Sequence, residues 1–204
     1  MAMLKSLSSA LKDPVNCHSL KLSIKEVQLP EDIFKLTQLS ELYLEAPYLK
    51  ELPSLLKLGK LKHFSLKAPA FTGSLNEFFY HPSLQYLKVA ETPVSDFNFK
   101  LEKHMAPLVS LTLKLCEIKK LPLELGELTT LQELYLPGNQ LKELPFTMPG
   151  LVKLKRLNLD SNCFEKFPDL VGHLPKLMHL SIDHNKFNEA EKARIQRQFN
   201  IIPN

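Results

Sequence analysis

The sequence predicts an α/β solenoid of right hand. Its curved parallel sheet has about eight short strands, with short helical or irregular segments along the convex side. Three observations lead there. A leucine pattern recurs in a fixed frame along most of the chain, its spacing switches between two and three residues within each unit, and amphipathic segments stand at both ends. The stretch "LTTLQELYLPGNQLKELP", residues 128–145, carries the switch in Leu128, Leu131, Leu134, Leu136, Leu141 and Leu144. A helix holds a rhythm of 3.6 and a half-exposed strand a rhythm of two. Using both, one segment reads as a short strand followed by turns or short helical pieces, each presenting leucine to the same interior.

Self-similarity fixes the frame. "LVSLTLKLCEIKKLP" from Leu108, "LQELYLPGNQLKELP" from Leu131, "LKRLNLDSNCFEKFP" from Leu154 and "LMHLSIDHNKF" from Leu177 begin 23 residues apart. Upstream, "CHSLKLSIKEVQLP" starts at Cys17, "LSELYLEAPYLKELP" at Leu39, "LKHFSLKAPAF" at Leu61 and "LQYLKVAETPVSDF" at Leu84, with spacings of 22 to 24. No unit can bury its leucines alone. Stacked, the eight share one continuous core, as repeat proteins do. Strands about 4.8 Å apart need less room than a bulkier back, so the sheet lines the concave side, and seven gaps make an arc about 34 Å long.

The motif L-x-x-L-x-L-x-x-N-x-L, followed by L-x-x-L-P, resembles the leucine-rich-repeat family over residues 17–187. It is similar to the intracellular class of 23 residues found in Ras-suppressor and Scribble-type proteins and in many bacterial proteins. The resemblance implies that the ninth-position asparagines, Asn139, Asn162 and Asn185, point inward and bond neighbouring backbone in a ladder. A buried turn must satisfy its N–H and C=O groups somehow. Cys116 and Thr92 fill the slot upstream, whereas Pro47, Pro69 and Lys25 depart from it, so a weaker ladder is expected in the N-terminal half.

Both ends of the stack need covers. Residues 1–16 are expected to supply a capping helix through Leu4, Leu7, Leu11 and Val15, a reading favoured over a mitochondrial transit segment. Residues 188–204 are expected to supply the other, opening on an Asn188-x-x-Glu191 capping pattern and placing Ile195, Phe199 and Ile202 at helical spacing. The "EKARI" stretch is similar to endings in bacterial members of the family, which points to a bacterial source.

Composition narrows the function classes. The formal charge of +4, from 26 basic and 22 acidic residues, is too balanced for a phosphate-tracking groove, so neither nucleic acid nor membrane is an expected partner. Three scattered cysteines, Cys17, Cys116 and Cys163, have neither zinc nor disulfide spacing and suit a reducing, cytoplasmic compartment. All three fall at core or turn positions and read as packing residues. No phosphate loop, nucleophile elbow or H-E-x-x-H occurs, and glycines number only six. No catalytic residue, cofactor or metal is therefore expected. "HLSIDHN" raises a cation reading around Asp160, Asp183 and His184, against which partnership of the carboxylates with Arg156 or Lys155 is preferred.

Function is expected at strand positions three, five and seven, which face the concave side. Column three reads Ser19, Glu41, His63, Tyr86, Ser110, Glu133, Arg156, His179; column five, Lys21, Tyr43, Ser65, Lys88, Thr112, Tyr135, Asn158, Ser181. Column seven includes Glu45, Lys67, Ala90, Lys114, Asp160 and Asp183. Tyr43, Tyr86 and Tyr135 are candidate anchors, since a tyrosine buries much area while keeping a polar tip. Lys67, Lys88 and Lys114 make a basic centre suited to acidic groups on a partner, flanked by Glu41 on one side and by Glu133, Arg156, Asn158 and His179 on the other. The expected molecule is a monomeric, non-enzymatic protein- or peptide-binding module. Alternatives are a secreted bacterial effector using the same face on a host protein, or the recognition domain of a larger enzyme. Phe78, Phe79 and Tyr80 in the irregular "GSLNEFFYHPSL" either fill the core or form a second contact site.

Overall fold

A computed structural model describes residues 3–94, 97–100 and 105–203. Within them lie eight strands, β1 Ser19–Ser23, β2 Glu41–Glu45, β3 His63–Lys67, β4 Tyr86–Ala90, β5 Ser110–Lys114, β6 Glu133–Tyr135, β7 Arg156–Asn158 and β8 His179–Ser181. They form one sheet in sequence order, every neighbouring pair parallel. Register follows the repeat frame without slippage: Leu20, Leu42, Phe64, Leu87, Leu111, Leu134, Leu157 and Leu180 align across all eight strands. Leu134 and Leu136 are fully buried while Tyr135 between them is not, as a period of two requires.

The three-residue spacings become short 3₁₀ turns on the convex side, such as Glu31–Lys35, Leu123–Glu127 and Asp169–His173. Each buries one central apolar residue, Ile33, Leu125 and Val171 respectively, against the back of the sheet. A turn this tight offers few i→i+3 bonds and persists because the shared core holds it.

The strand-to-turn corner takes two forms. In the last five repeats the eighth residue is left-handed: Glu91 (φ 48°), Leu115 (54°), Gly138 (70°), Ser161 (54°) and His184 (58°). That reversal aims the ninth residue inward, and Thr92, Cys116, Asn139, Asn162 and Asn185 sit there. Asn139 is the fullest case. Its Oδ1 accepts from the N–H groups of Cys116 (3.0 Å) and Ile118 (3.2 Å), and its Nδ2 donates to the carbonyls of Leu113 (2.7 Å) and Leu136 (2.9 Å). Asn162 and Asn185 repeat the pattern one coil on, through Leu141 N–H and Phe164 N–H.

Repeats two and three turn differently. Pro47 and Pro69 are exposed, and the preceding alanines, Ala46 and Ala68, are the residues that enter the core. A residue before proline is driven towards extended backbone, which forbids the left-handed corner. The side chain pointing inward is then the eighth and not the ninth, and only a small one fits. The ninth side chain therefore does not enter these corners, which keep only the backbone bond common to the regular ones: Ala46 N–H donates to Lys67 C=O at 2.9 Å, as Glu91 N–H does to Lys114 C=O. Thr92 is the junction, accepting from Ala68 N–H (2.9 Å) and donating to Ala90 C=O (2.9 Å).

At the front, helix α1 covers only Leu7–Ala10, and Leu4 extends the sheet by an isolated parallel bridge to Leu20. Leu4, Leu7 and Leu11 pack partly buried against the core, with Ala10 fully buried. At the back, helix α2, Glu189–Phe199, opens as its capping pattern requires, Asn188 Oδ1 accepting from Glu191 N–H at 2.9 Å. Ile195 is fully buried, and the Phe199 ring lies 4.3 Å from that of Phe167.

One buried titratable group makes stability depend on pH. His81, fully buried behind β3 and β4, is held below the ordinary imidazole value by burial, against the opposing pull of the Leu55 and Leu58 carbonyls. Above about pH 6.5 both folded and unfolded chains hold it neutral, and its contribution is complete. As pH falls below that value the unfolded chain takes up the proton first, so stability declines until the lower folded value is passed. The expected slope is up to about 1.4 kcal/mol per pH unit. Denaturation midpoints between pH 7 and 5 should fall for the wild type and change markedly less for His81→Gln. Equal slopes would remove His81 from the account.

Candidate functional site

Strand alternation leaves the odd positions on the concave face half-buried or exposed. Tyr43 and Tyr135 are half-buried on β2 and β6, and Tyr86, on β4, is 37% exposed. Burial, then the adjacent Glu41, raises the Tyr43 phenol above its ordinary value; burial and Glu133 do the same for Tyr135. Both rings therefore stay neutral donors, each beside a carboxylate. Tyr86 stacks on His63 of β3, their ring centroids 4.2 Å apart and the planes 6° from parallel. The three tyrosines stand on separate strands, two apart on each side of β4, so they mark the arc at intervals and do not form one cluster.

The charges sort themselves by strand neighbours. Lys21 reaches Glu45 across β1 and β2 (3.2 Å), and its hydrogen bond holds the Glu45 carboxyl below the usual range. Lys67 pairs with Glu91 (2.6 Å) and Arg156 with Glu133 (2.8 Å). Glu41 accepts from Ser19 Oγ at 2.8 Å. Such exposed pairs add about 0–1 kcal/mol each to stability and mainly fix side-chain directions. The basic centre expected from three lysines is accordingly reduced. Among the described residues Lys88 and Lys114 make no ion pair, while Lys67 is neutralised. They border a hollow of about 420 Å³ in the concave face, whose wall includes Tyr43, Glu45 and Ser65.

At the other end, the expected partnership of Asp160 with Arg156 or Lys155 does not form. Arg156 is held by Glu133, and Lys155 donates to Gln132 Oε1 at 3.0 Å. Asp160 instead accepts from Ser181 Oγ (2.7 Å), Asp183 N–H (2.8 Å) and Asn158 Nδ2 (2.9 Å). Asn158 is thereby tied into the corner between β7 and β8, and His179 is exposed on β8. The carboxylate is satisfied by neutral donors, a structural use that a strand-by-strand charge count does not reveal. Among the described residues no three His, Cys, Asp or Glu side chains are placed to share a metal ion. Cys17 and Cys116 are buried, and burial pushes the Cys116 thiol up to about 12, so it stays protonated and inert.

A parallel sheet of eight strands, with six short 3₁₀ turns among the described residues and inward asparagines at the last three corners, agrees with comparison to known proteins. Residues 129–187 match the leucine rich repeat family model. The chain is a leucine-rich-repeat solenoid. It is similar to a leucine-rich-repeat protein of Leptospira interrogans, 23% identical over 97% of this chain and 68% of that one, with a TM-score of 0.62. It is similar also to a chain of the Toll–Spätzle complex of Drosophila, 21% identical over 98% of this chain and 28% of that one (TM-score 0.71). A chain of the plant peptide hormone receptor RGFR1 in complex with RGF2 is 19% identical over 91% of this solenoid and 31% of its own length, with a TM-score of 0.63. No curated protein matches the sequence. The leucine-rich-repeat fold is generally a protein-interaction module, and no helix among the described residues is long and apolar enough to cross a membrane.

Proposed function

We propose that this solenoid is a non-enzymatic module that binds a protein or peptide on its concave face, with the basic middle of the arc receiving acidic groups. The observation that carries the reading is the concave hollow: Tyr43 shares it with Lys88 and Lys114, cations that no carboxylate neutralises among the described residues. Rigid strands hold these side chains in fixed columns, which lowers the ordering cost of binding. Glu41, His63, Lys67, Glu133, Arg156, Asn158 and His179 make up the surrounding polar face, several already fixed by hydrogen bonds or ion pairs. An arc of eight strands offers room for an interface of standard size, about 800 Å² per partner. The Toll–Spätzle and RGFR1–RGF2 complexes support a macromolecular partner by analogy of fold. The module acts as a monomer in the cytoplasm of a bacterium, with residues 1–16 and 188–204 covering the two ends of the core.

Affinity purification from cell lysate with the wild type and with Tyr43→Ala/Tyr86→Ala/Tyr135→Ala tests the reading. A partner enriched by the wild type should be lost by the triple variant. For that partner, Lys88→Glu/Lys114→Glu should weaken binding by about tenfold or more, chiefly at low salt. Unchanged affinity in both variants would place the interface elsewhere.

A further inference from the structure

We propose a second binding surface, independent of the concave face: the flank beyond the asparagine corners, across repeats five to eight, holds an acidic segment of a partner protein. Positions ten to thirteen of successive repeats emerge there. Lys119 and Lys120 come from the fifth, Lys142 from the sixth and Lys186 from the eighth, and the four line a hollow of about 550 Å³ whose one acid is Glu143. All four are exposed, and none makes an ion pair among the described residues. This differs from the concave lysines, where two of the four lining the hollow are neutralised by Glu45 and Glu91.

An apolar ledge adjoins the basic hollow. A second depression of about 360 Å³ shares Lys120 and Glu143 with it and is walled by Leu123 and Phe146. These two side chains occupy the same position in consecutive repeats and remain 48% and 71% exposed. A large exposed aromatic beside unpaired cations fits an amphipathic acidic ligand better than a solvated face. Coils stacked about 5 Å apart spread the lysines along the flank, the seventh repeat contributing Cys163 to the hollow, and an extended peptide offers same-side groups every 6–7 Å, so a short strand-like segment can meet several of them. Nucleic acid fits less well. Glu143, and Glu117 in the next hollow along the flank, interrupt the positive row, and no arginine lines it.

Fluorescence anisotropy of the full chain tests the proposal. The probe is a labelled nine-residue peptide of alternating aspartate and glutamate around a central phenylalanine, and its asparagine–glutamine counterpart is the control. The acidic peptide should bind at least about tenfold tighter than the amide peptide, and Lys142→Glu/Lys186→Glu should abolish that difference. Phe146→Ser should weaken binding several-fold, and the concave tyrosine triple variant should bind as the wild type does. Lys142, Lys186 and Phe146 are exposed and the three tyrosines lie outside the core, so circular dichroism should show each variant folded. Equal binding of the two peptides, insensitivity to the lysine reversals, loss of binding in the tyrosine variant, or tighter binding of a single-stranded DNA oligonucleotide would each overturn the assignment. Because the tyrosine and lysine variants are read separately, failure here leaves the concave reading intact, and the reverse.

Discussion

Asn139→Leu should destabilise the chain by about 4 kcal/mol, a large fraction of the 5–15 kcal/mol typical of a folded domain. The side chain is 5% exposed and engages four backbone groups. Leucine has a similar volume, so little cavity forms, and the loss is almost wholly polar. Cys116 N–H and Ile118 N–H would face hydrocarbon without an acceptor, at about 1–3 kcal/mol each. Leu136 C=O would suffer less, because Asn162 Nδ2 also donates to it at 2.9 Å. Asn139→Asp offers a sharper test. It keeps the acceptor for the two N–H groups but turns a carboxylate oxygen towards the Leu113 and Leu136 carbonyls, and should be at least as damaging near neutral pH.

Neighbour coupling in a solenoid localises the effect. Hydrogen exchange should quicken most at the amides of Cys116 and Ile118 and in the corner of repeat six, with the first three coils least affected. Urea titration supplies the magnitude. A loss below about 1 kcal/mol would mean that water enters the corner and replaces the side chain, and the ladder would then not be what fixes the regular half of the stack.

How far such features could be read in advance depended on whether a local rule sets them. The strand columns were legible because alternation is a property of the strand itself, and one frame carries through all eight coils. Asn139, Asn162 and Asn185 were legible for the same reason. Pro47 and Pro69 were visible as breaks in the ladder, but the inward place of Ala46 and Ala68 was not, since it arises from the backbone restriction before proline acting within a coil. The pairing of Lys67 with Glu91 depends on the left-handed corner residue that follows β4, so one lysine of the apparent cationic triad is neutralised and two are not. The role of Asp160 is not legible from charge, because its side-chain donors, Ser181 and Asn158, are neutral while the two nearby cations pair elsewhere. The flank lysines escape a strand-column reading because "EIKKLP" places Lys119 and Lys120 beyond the strand.

Phe79→Ala should cost about 3–5 kcal/mol, the second largest effect expected of a single change. The structure decides the question posed by "NEFFY": Phe78 and Phe79 are 1% and 0% exposed and fill the core behind β3 and β4. Phe78 stacks on Phe64, centroids 4.7 Å apart. Phe79 stacks on Phe99 at 4.0 Å and meets the edge of Phe97 at 5.5 Å. Those partners come from "FNFK", residues 97–100, where the repeat pattern lapses. Aromatic packing therefore substitutes for the missing leucines at the joint between repeats four and five. Truncation would leave Phe97 and Phe99 without their central ring and loosen that joint first. A Phe79/Phe99 double-mutant cycle should return a coupling of about 0.5–1.5 kcal/mol. Tyr80→Phe is the control, because it removes only the hydroxyl that donates to Lys100 C=O at 2.8 Å and accepts from Lys100 N–H. It should cost about 1 kcal/mol. If Phe79→Ala lost no more than Tyr80→Phe, the joint would be held by the flanking strands alone, and the aromatic cluster would be filling and not structure.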